Sequence, residues 1–379
     1  MKRLKIVADD KIPFLRGALE PYADVVYLPG AAISAADVAD ADALFTRTRT
    51  KCNAALLQGS SVRLIATATI GYDHIDTAWC EAGGIRWVNA PGCNSSSVQQ
   101  YIAAATLTLA LTHGLCLRET TLGVVGVGNV GRKVARAGAA LGMRVLLNDP
   151  PRAEREGWER FTPLDELLAQ SDIVSCHVPL TREAPCPTHH LASERFFEQM
   201  KADAVFINSS RGAVADSEAL KRAAQTKLRD FVLDVWEGEP VPDPFLLEKA
   251  FIGTPHIAGY SADGKANGTA ACIRELARFF RLDSLRDWYP DTLPPPPFPT
   301  STTIDCKGKT DEEVFYRAVA HTYPVTADSL RLKQSPETFE EQRGSYWMRR
   351  EFGSYTLRLN DAGPRVTNGL RELGFRMAR

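Results

Sequence analysis

The sequence predicts an α/β protein in which two doubly wound parallel-sheet domains are followed by a small α+β domain. Three observations carry this expectation. Brief β-type runs alternate with helical patterns over most of the 379 residues, the pattern that a parallel sheet covered by helices produces. One long helical stretch, from about Ser96 to His113, separates an early group of such runs from a later one. A run holding Pro290, Pro294, Pro295, Pro296, Pro297 and Pro299 then sets off the last part of the chain.

In the early group, LKIVADD, ADVVYLPG, ADALFTRTR, VRLIATATIG and GIRWVNAPG are each a short apolar run closed by Gly, Pro or polar residues, which reads as a strand and its turn. The helix from Ser96 opens on serines able to cap free backbone N–H groups. The later group comprises TLGVVGVGNVG, MRVLLNDP, DIVSCHVPL, DAVFINSSRG, DFVLDVW and AFIGTPHIAG, with helical segments between, and a helix over roughly Ala262 to Arg281 closes it. The proline run favours an extended, semi-rigid connector and excludes helix. From Thr300 to Arg379 the expectation is strand (TTIDCK), helix (DEEVFYRAVAHTY), a second helix near Glu337 to Arg350, strand (SYTLRL) and a last helix. No catalytic motif is visible in this part, so its expected role is assembly.

A formal net charge of −1 leaves no global electrostatic footprint for nucleic acid or an anionic membrane. Met1 to Asp10 reaches acidic Asp9 and Asp10 before any long apolar core, unlike a signal peptide. Ile102 to Thr112 is too short and too rich in Thr to span a bilayer, and a cytoplasmic location is expected. The 8 cysteines form neither a CxxC pair nor a repeated framework, so reduced thiols are expected. Cys186, His189 and His190 crowd one segment, but no second cluster stands at zinc-like spacing, and no metal is expected.

The strongest local signal lies between Thr121 and Pro150. Strand LGVVGV leads into Gly126-x-Gly128-x-x-Gly131, with Asn129 and Val130 in the turn, and then into a helix and a second strand ending at Asp149. Gly126 permits a tight turn, Gly128 lets backbone approach a pyrophosphate, and Gly131 allows close helix packing, while the helix start supplies N–H donors and a positive dipole. The Asp149 carboxylate would bind ribose hydroxyls and repel a 2′-phosphate, favouring NAD over NADP.

Oxidising a 2-hydroxy acid requires a cation for the carboxylate, a base for the hydroxyl proton and a partner that orients the base. Arg211 in NSSRG can grip a carboxylate with two parallel hydrogen bonds. His256 in GTPHIAG is the base best matched to neutral pH, and Glu239 in DVWEGEP can bind its other ring nitrogen. Singly, each also has a structural explanation: a solvated arginine, a core histidine, a turn glutamate. Their joint placement at the carboxyl ends of strands in one sheet is where α/β proteins bind ligands.

These motifs, GVGNVG with Asp149, NSSRGAV, LDVWEGEP and GTPHIAGY, preceded by ATATIGYDHID, resemble the D-isomer-specific 2-hydroxyacid dehydrogenase family across residues 1 to about 285. The resemblance implies a Rossmann NAD domain at 94–257, a discontinuous flavodoxin-like substrate-binding domain at 1–93 and 258–286, and a C-terminal dimerisation domain at 287–379. It implies Arg211 on the substrate carboxylate, His256 as acid/base and Glu239 as its orienter. Thr48, Thr69 and Tyr260 match substrate-contacting positions. Ser209, Ser210, Arg211, Asp234 and Gly259 match cofactor contacts, as does Val178, where relatives commonly carry threonine, so no side-chain hydrogen bond is expected there. A homodimer is also implied.

A phosphorylated substrate needs cations beyond Arg211. Arg47, Arg49 and Lys51 recur at every second residue and, on a strand, would share one face; Arg349 and Arg350 are candidates for reaching a neighbouring subunit's site. Two other readings stay open at this point: a different anionic 2-hydroxy acid such as 3-phosphoglycerate, and a non-catalytic NAD-sensing module of corepressor type.

Overall fold

The structure, a computed structural model, describes residues 3–183, 185–347 and 349–378, so Met1 and Lys2 of the basic start lie outside it. The chain forms two compact units, one of residues 1–94 with 261–294, the other of 95–260 with 295–379.

The first unit is built on a five-stranded parallel sheet of β1 (Leu4–Asp9), β2 (Ala23–Leu28), β3 (Ala43–Thr46), β4 (Leu64–Thr67) and β5 (Arg86–Val88), in the order β2-β1-β3-β4-β5. Alternate residues of the strands face opposite sides. Ile6, Ala8, Phe45, Leu64 and Ala66 enter one apolar cluster, and Val7, Leu44 and Ile65 enter another. Both faces are therefore buried, which is why these strands read as near-continuous apolar runs. The helix Ala262–Phe280 covers the first face with Cys272, Ile273, Leu276 and Ala277.

One expectation fails here. β3 stops at Thr46, and Arg47 to Thr50 form a turn. Arg47, Arg49 and Lys51 do not share a strand face. The Thr46 hydroxyl bonds the Arg47 carbonyl at 2.8 Å and the Thr50 hydroxyl the Gly30 carbonyl at 2.9 Å, so side-chain bonding to backbone ends the strand where alternation alone would extend it.

The second unit holds a six-stranded parallel sheet of β6 (Thr121–Val125), β7 (Arg144–Asn148), β8 (Ile173–Cys176), β9 (Val205–Asn208), β10 (Asp230–Leu233) and β11 (Ile252–Gly253), in the order β11-β10-β9-β8-β6-β7. Strand order reverses between β6 and β8, the switch point at which such sheets bind ligands. The dinucleotide fold ordinarily has a further strand outside β7. Here Thr162 stands in that place, its N–H donating to the Leu147 carbonyl at 2.7 Å and its carbonyl accepting from the Asn148 side chain at 2.9 Å.

A second, three-stranded parallel sheet, β12 (Ser301–Asp305), β13 (Thr356–Asn360) and β14 (Arg376–Met377), follows the proline connector. It shares its core with the larger sheet. Val98, Tyr101 and Leu107 of the helix Ser95–His113 lie in one apolar cluster with Phe315, Val319, Leu357 and Leu370. Gly369 packs so tightly that a Cβ there would meet the Ala140 carbonyl at 2.4 Å. The expected helix near 337–350 is also corrected. A helix Val325–Gln334 comes first, a 3-10 turn Pro336–Thr338 follows, and the helix Phe339–Gly344 ends well short of Arg350. Pro336 lacks the N–H that would join these two helices.

Candidate active site

Arg211, Glu239 and His256 follow β9, β10 and β11, three adjacent parallel strands whose carboxyl ends lie on one edge of the sheet. Neighbouring strands are about 4.8 Å apart, so the three loops leave the sheet side by side, and the Arg211 guanidinium donates to the Ser210 carbonyl at 2.8 Å.

The loop after β11 is shaped by Asp234. Its carboxylate is 1% exposed and accepts the Thr254 hydroxyl at 2.7 Å and the backbone N–H groups of Ile257 and Ala258 at 2.8 and 2.9 Å. Burial pushes this carboxyl above its ordinary value against the opposing pull of these donors and His256. The Asp234 carbonyl also accepts the His256 N–H at 2.7 Å. His256 thus sits inside a loop fixed on both sides, with φ 57 in the left-handed region.

The His256 ring meets Glu239 through Nδ1 and Oε2 at 2.8 Å. The other oxygen of Glu239 accepts the Trp236 N–H at 2.9 Å, and the Trp236 indole donates to the Thr254 carbonyl, which ties the Glu239 loop to the His256 loop. Burial pushes Glu239 up, but the His256 hydrogen bond and charge, the Trp236 N–H and the Arg343 guanidinium outweigh it and hold the carboxyl below its ordinary value. Glu239 is an anion at neutral pH, and Nε2 of His256 is the nitrogen left for proton exchange.

Arg211 lies in a loop that folds back on β9. Asn208 donates to the Arg211 carbonyl at 2.9 Å and accepts from the backbone N–H and hydroxyl of Ser210. A Cβ at Gly212 would meet the Trp236 carbonyl at 2.0 Å, so the Arg211 loop lies directly against the start of the Glu239 loop.

At the switch point, the residues fit a dinucleotide. Gly126 adopts φ 87, and a Cβ on Gly131 would meet the Gly126 carbonyl at 1.9 Å. A Cβ on Gly128 would meet nothing within 4 Å, so the space ahead of the helix Asn129–Ala140 is open to a phosphate. Asp149 accepts the N–H groups of Val127 and Arg152, and the Arg152 guanidinium is paired with Glu156 at 2.7 Å and bonded to the Val127 carbonyl. Val178 sits over the glycine turn, its Cγ1 2.7 Å from where a Gly126 Cβ would stand. The Ser209 hydroxyl is buried with no partner among the described residues, a polar atom that a bound cofactor would satisfy.

Tyr260 follows His256 and Gly259 in the same turn, its N–H bonded to the Ile257 carbonyl at 2.9 Å. In the first unit, Thr69 bonds Thr67 and the Gly71 carbonyl at 2.8 Å, Thr48 is exposed in the turn after β3, and Arg47 donates to the Lys11 carbonyl at 3.1 Å. Arg349 is corrected outright. It is fully buried, its guanidinium bonded to the carbonyls of Ser97 and Ala258 and stacked 4.0 Å over Tyr323, so it cannot reach a neighbouring subunit. His189 and His190 are joined by Glu237, with ligand-type atoms within 4.8 Å of one another; His190 is bonded to Glu237 there. Arg343, which Glu239 senses, was not among the residues the motifs single out.

The family model for the D-isomer specific 2-hydroxyacid dehydrogenase NAD binding domain matches residues 96–258, and one described only as a domain of unknown function matches residues 293–374. The chain belongs to the D-isomer specific 2-hydroxyacid dehydrogenase family, a family of NAD-dependent oxidoreductases. It is 49% identical to the erythronate-4-phosphate dehydrogenase of Bacteroides fragilis over 93% of this chain and 99% of that protein. Against the erythronate-4-phosphate dehydrogenase of Escherichia coli it is 40% identical, covering 98% of each. A D-lactate dehydrogenase from Aquifex aeolicus, solved with NAD and lactic acid, is 27% identical with a TM-score of 0.61, covering 75% of this chain and 98% of that one. No helix among the described residues is long and apolar enough to cross a membrane.

Proposed function

We propose that this protein oxidises 4-phospho-D-erythronate to 3-hydroxy-2-oxo-4-phosphooxybutanoate, a step of pyridoxal phosphate biosynthesis, with NAD as oxidant. The observation that carries the reading is the 2.8 Å His256–Glu239 bond at the same sheet edge as Arg211, in a chain that matches erythronate-4-phosphate dehydrogenases over nearly their whole length.

Arg211 holds the substrate carboxylate through its planar fork and so orients C2. His256 Nε2 takes the C2 hydroxyl proton, and Glu239 stabilises the imidazolium as it forms. When bound, nicotinamide supplies the acceptor for the hydride leaving C2. Gly126, Gly128, Asn129, Val130 and Gly131 would cradle the pyrophosphate, Asp149 would take the ribose, and Val178, Ser209, Ser210, Asp234 and Gly259 would supply further contacts to the cofactor. Tyr260 is a further candidate contact to the acid, and the resemblance to the family makes Thr48, Thr69 and Arg47 of the first unit candidates as well. The protein works in the cytoplasm as a homodimer to which the C-terminal domain contributes, and light scattering of the purified protein tests that assembly.

The decisive assay mixes protein and NAD with 4-phospho-D-erythronate or 3-phosphoglycerate, each with and without a 2-oxo acid that can recycle tightly held NADH. Formation of the 2-oxo product from 4-phospho-D-erythronate in clear preference is expected. Preference for 3-phosphoglycerate overturns the substrate assignment, and inertness towards both acids with tight NADH binding favours a sensor module.

A further inference from the structure

We infer that Arg343, supplied by the C-terminal domain of the same chain, is the residue that reads the phosphate of the substrate; this rests on the substrate assigned above. Arg343 lies in the helix Phe339–Gly344, in the region matched only by a domain of unknown function. Its Nε donates to the Tyr260 hydroxyl at 3.2 Å, four residues beyond His256, and its charge acts on Glu239. A cation from the last domain therefore stands beside the catalytic pair.

Its surroundings do not use it up. The side chain is 26% exposed, and its ion-pair contact, to Glu340, is long at 3.7 Å. Glu239 is already committed to His256 and the Trp236 N–H. A guanidinium carries five N–H donors, and among the described residues one is used within hydrogen-bond distance. A half-covered cation with spare donors in a planar fork matches a phosphate.

Its position is also fixed. Arg349 pins the segment to the Ala258 carbonyl, two residues after His256, and the Tyr346 and Tyr260 rings meet edge to face with centroids 6.0 Å apart. The segment cannot drift relative to His256 without breaking a buried charged contact. Arg211 and Arg343 then grip the two anionic ends of one acid, the carboxylate and the phosphate, with C2 at His256 between them.

The test compares Arg343→Ala and Arg343→Lys with the unaltered protein on 4-phospho-D-erythronate and on unphosphorylated D-erythronate. A charge-assisted contact of this kind contributes about 10–100-fold in binding. Arg343→Ala is expected to lose kcat/KM for the phosphorylated acid at least ten times more than for erythronate, mainly through KM, with Arg343→Lys intermediate. Equal losses on both acids would reduce Arg343 to a positioning residue for Glu239 and Tyr260, and no loss on either would return the phosphate to the Arg47, Arg49 and Lys51 turn; each overturns the inference. Calorimetric titration of inorganic phosphate into the NADH-loaded protein needs no turnover. Weaker binding by Arg343→Ala supports the inference even if 4-phospho-D-erythronate proves not to be the substrate, and unaltered binding overturns it. Thermal unfolding of each variant confirms that the fold is kept.

Discussion

His256 holds a backbone conformation that a residue with a Cβ adopts at a cost of about 1–2 kcal/mol. The Asp234 carbonyl and the Glu239 carboxylate fix the backbone and the ring there, with Nδ1 taken by Glu239. His256→Ala should lower kcat by about 10²–10⁴-fold while NADH binding, read by fluorescence, persists; near-normal turnover would remove His256 from its role. Arg211→Lys should raise KM for the acid, because an ammonium cannot form the parallel pair of bonds, and unchanged kinetics would discount the clamp. For Glu239 the sign follows from its lowered native pKa. The unfolded carboxyl takes up its proton first as pH falls, so the stabilisation is complete above about pH 4.3 and is lost as pH falls through the lower native value. The stability difference between the unaltered protein and Glu239→Gln, followed by urea unfolding from pH 5 downward, should shrink as the carboxyl takes up its proton. A difference that stays constant down to pH 3 would contradict this.

Between strands, the active loops are held by close backbone packing and a single buried carboxylate. Gly212→Ala places a Cβ on the Trp236 carbonyl, and backbone cannot give way cheaply. The Arg211 loop must shift by an ångström or so, for which about 10²-fold in kcat/KM is the expected loss, with NADH binding retained; a normal kcat/KM would show that the two loops are not coupled. Asp234→Asn places an amide NH₂ against buried N–H donors, and each one left unpaired costs about 1–3 kcal/mol. A lower unfolding midpoint together with lower kcat is expected. Much of this element-scale order was legible in the sequence. Strand ends and the glycine turn declare themselves through local patterns, and so NSSRG, DVWEGEP and GTPHIAG point to residues that the fold sets along one edge. The TRTRTK run misled because alternation looks the same in a strand and in the turn that Thr50 closes. The 337–350 stretch misled because the break at Pro336 is a matter of backbone donors, not periodicity. Arg343 left no signal at all, since its partners Tyr260 and Glu239 are long-range contacts that no window of sequence contains.

Across the molecule, the chain past the proline connector is part of the same core as the dinucleotide sheet. Phe315, Leu357 and Leu370 share a cluster with Tyr101 and Leu107, so a chain ended at Pro294 would expose apolar surface along the helix Ser95–His113. It is expected to aggregate on expression; a monodisperse product that binds NADH would show that the catalytic unit is self-sufficient. Arg349→Ala removes the donor for two buried carbonyls and opens a cavity beside Tyr323, for a loss of about 3–5 kcal/mol read by chemical denaturation. A loss below 1 kcal/mol would mean that water replaces the guanidinium there.

The Arg349 anchor also has a bearing on biosynthesis. The carbonyl it secures belongs to Ala258, which is separated from it by 91 positions, so the ribosome makes the reactive loop long before it makes the bolt that locks it. A polypeptide interrupted anywhere in that interval would carry Arg211, Glu239 and His256 but lack the guanidinium that secures the histidine loop.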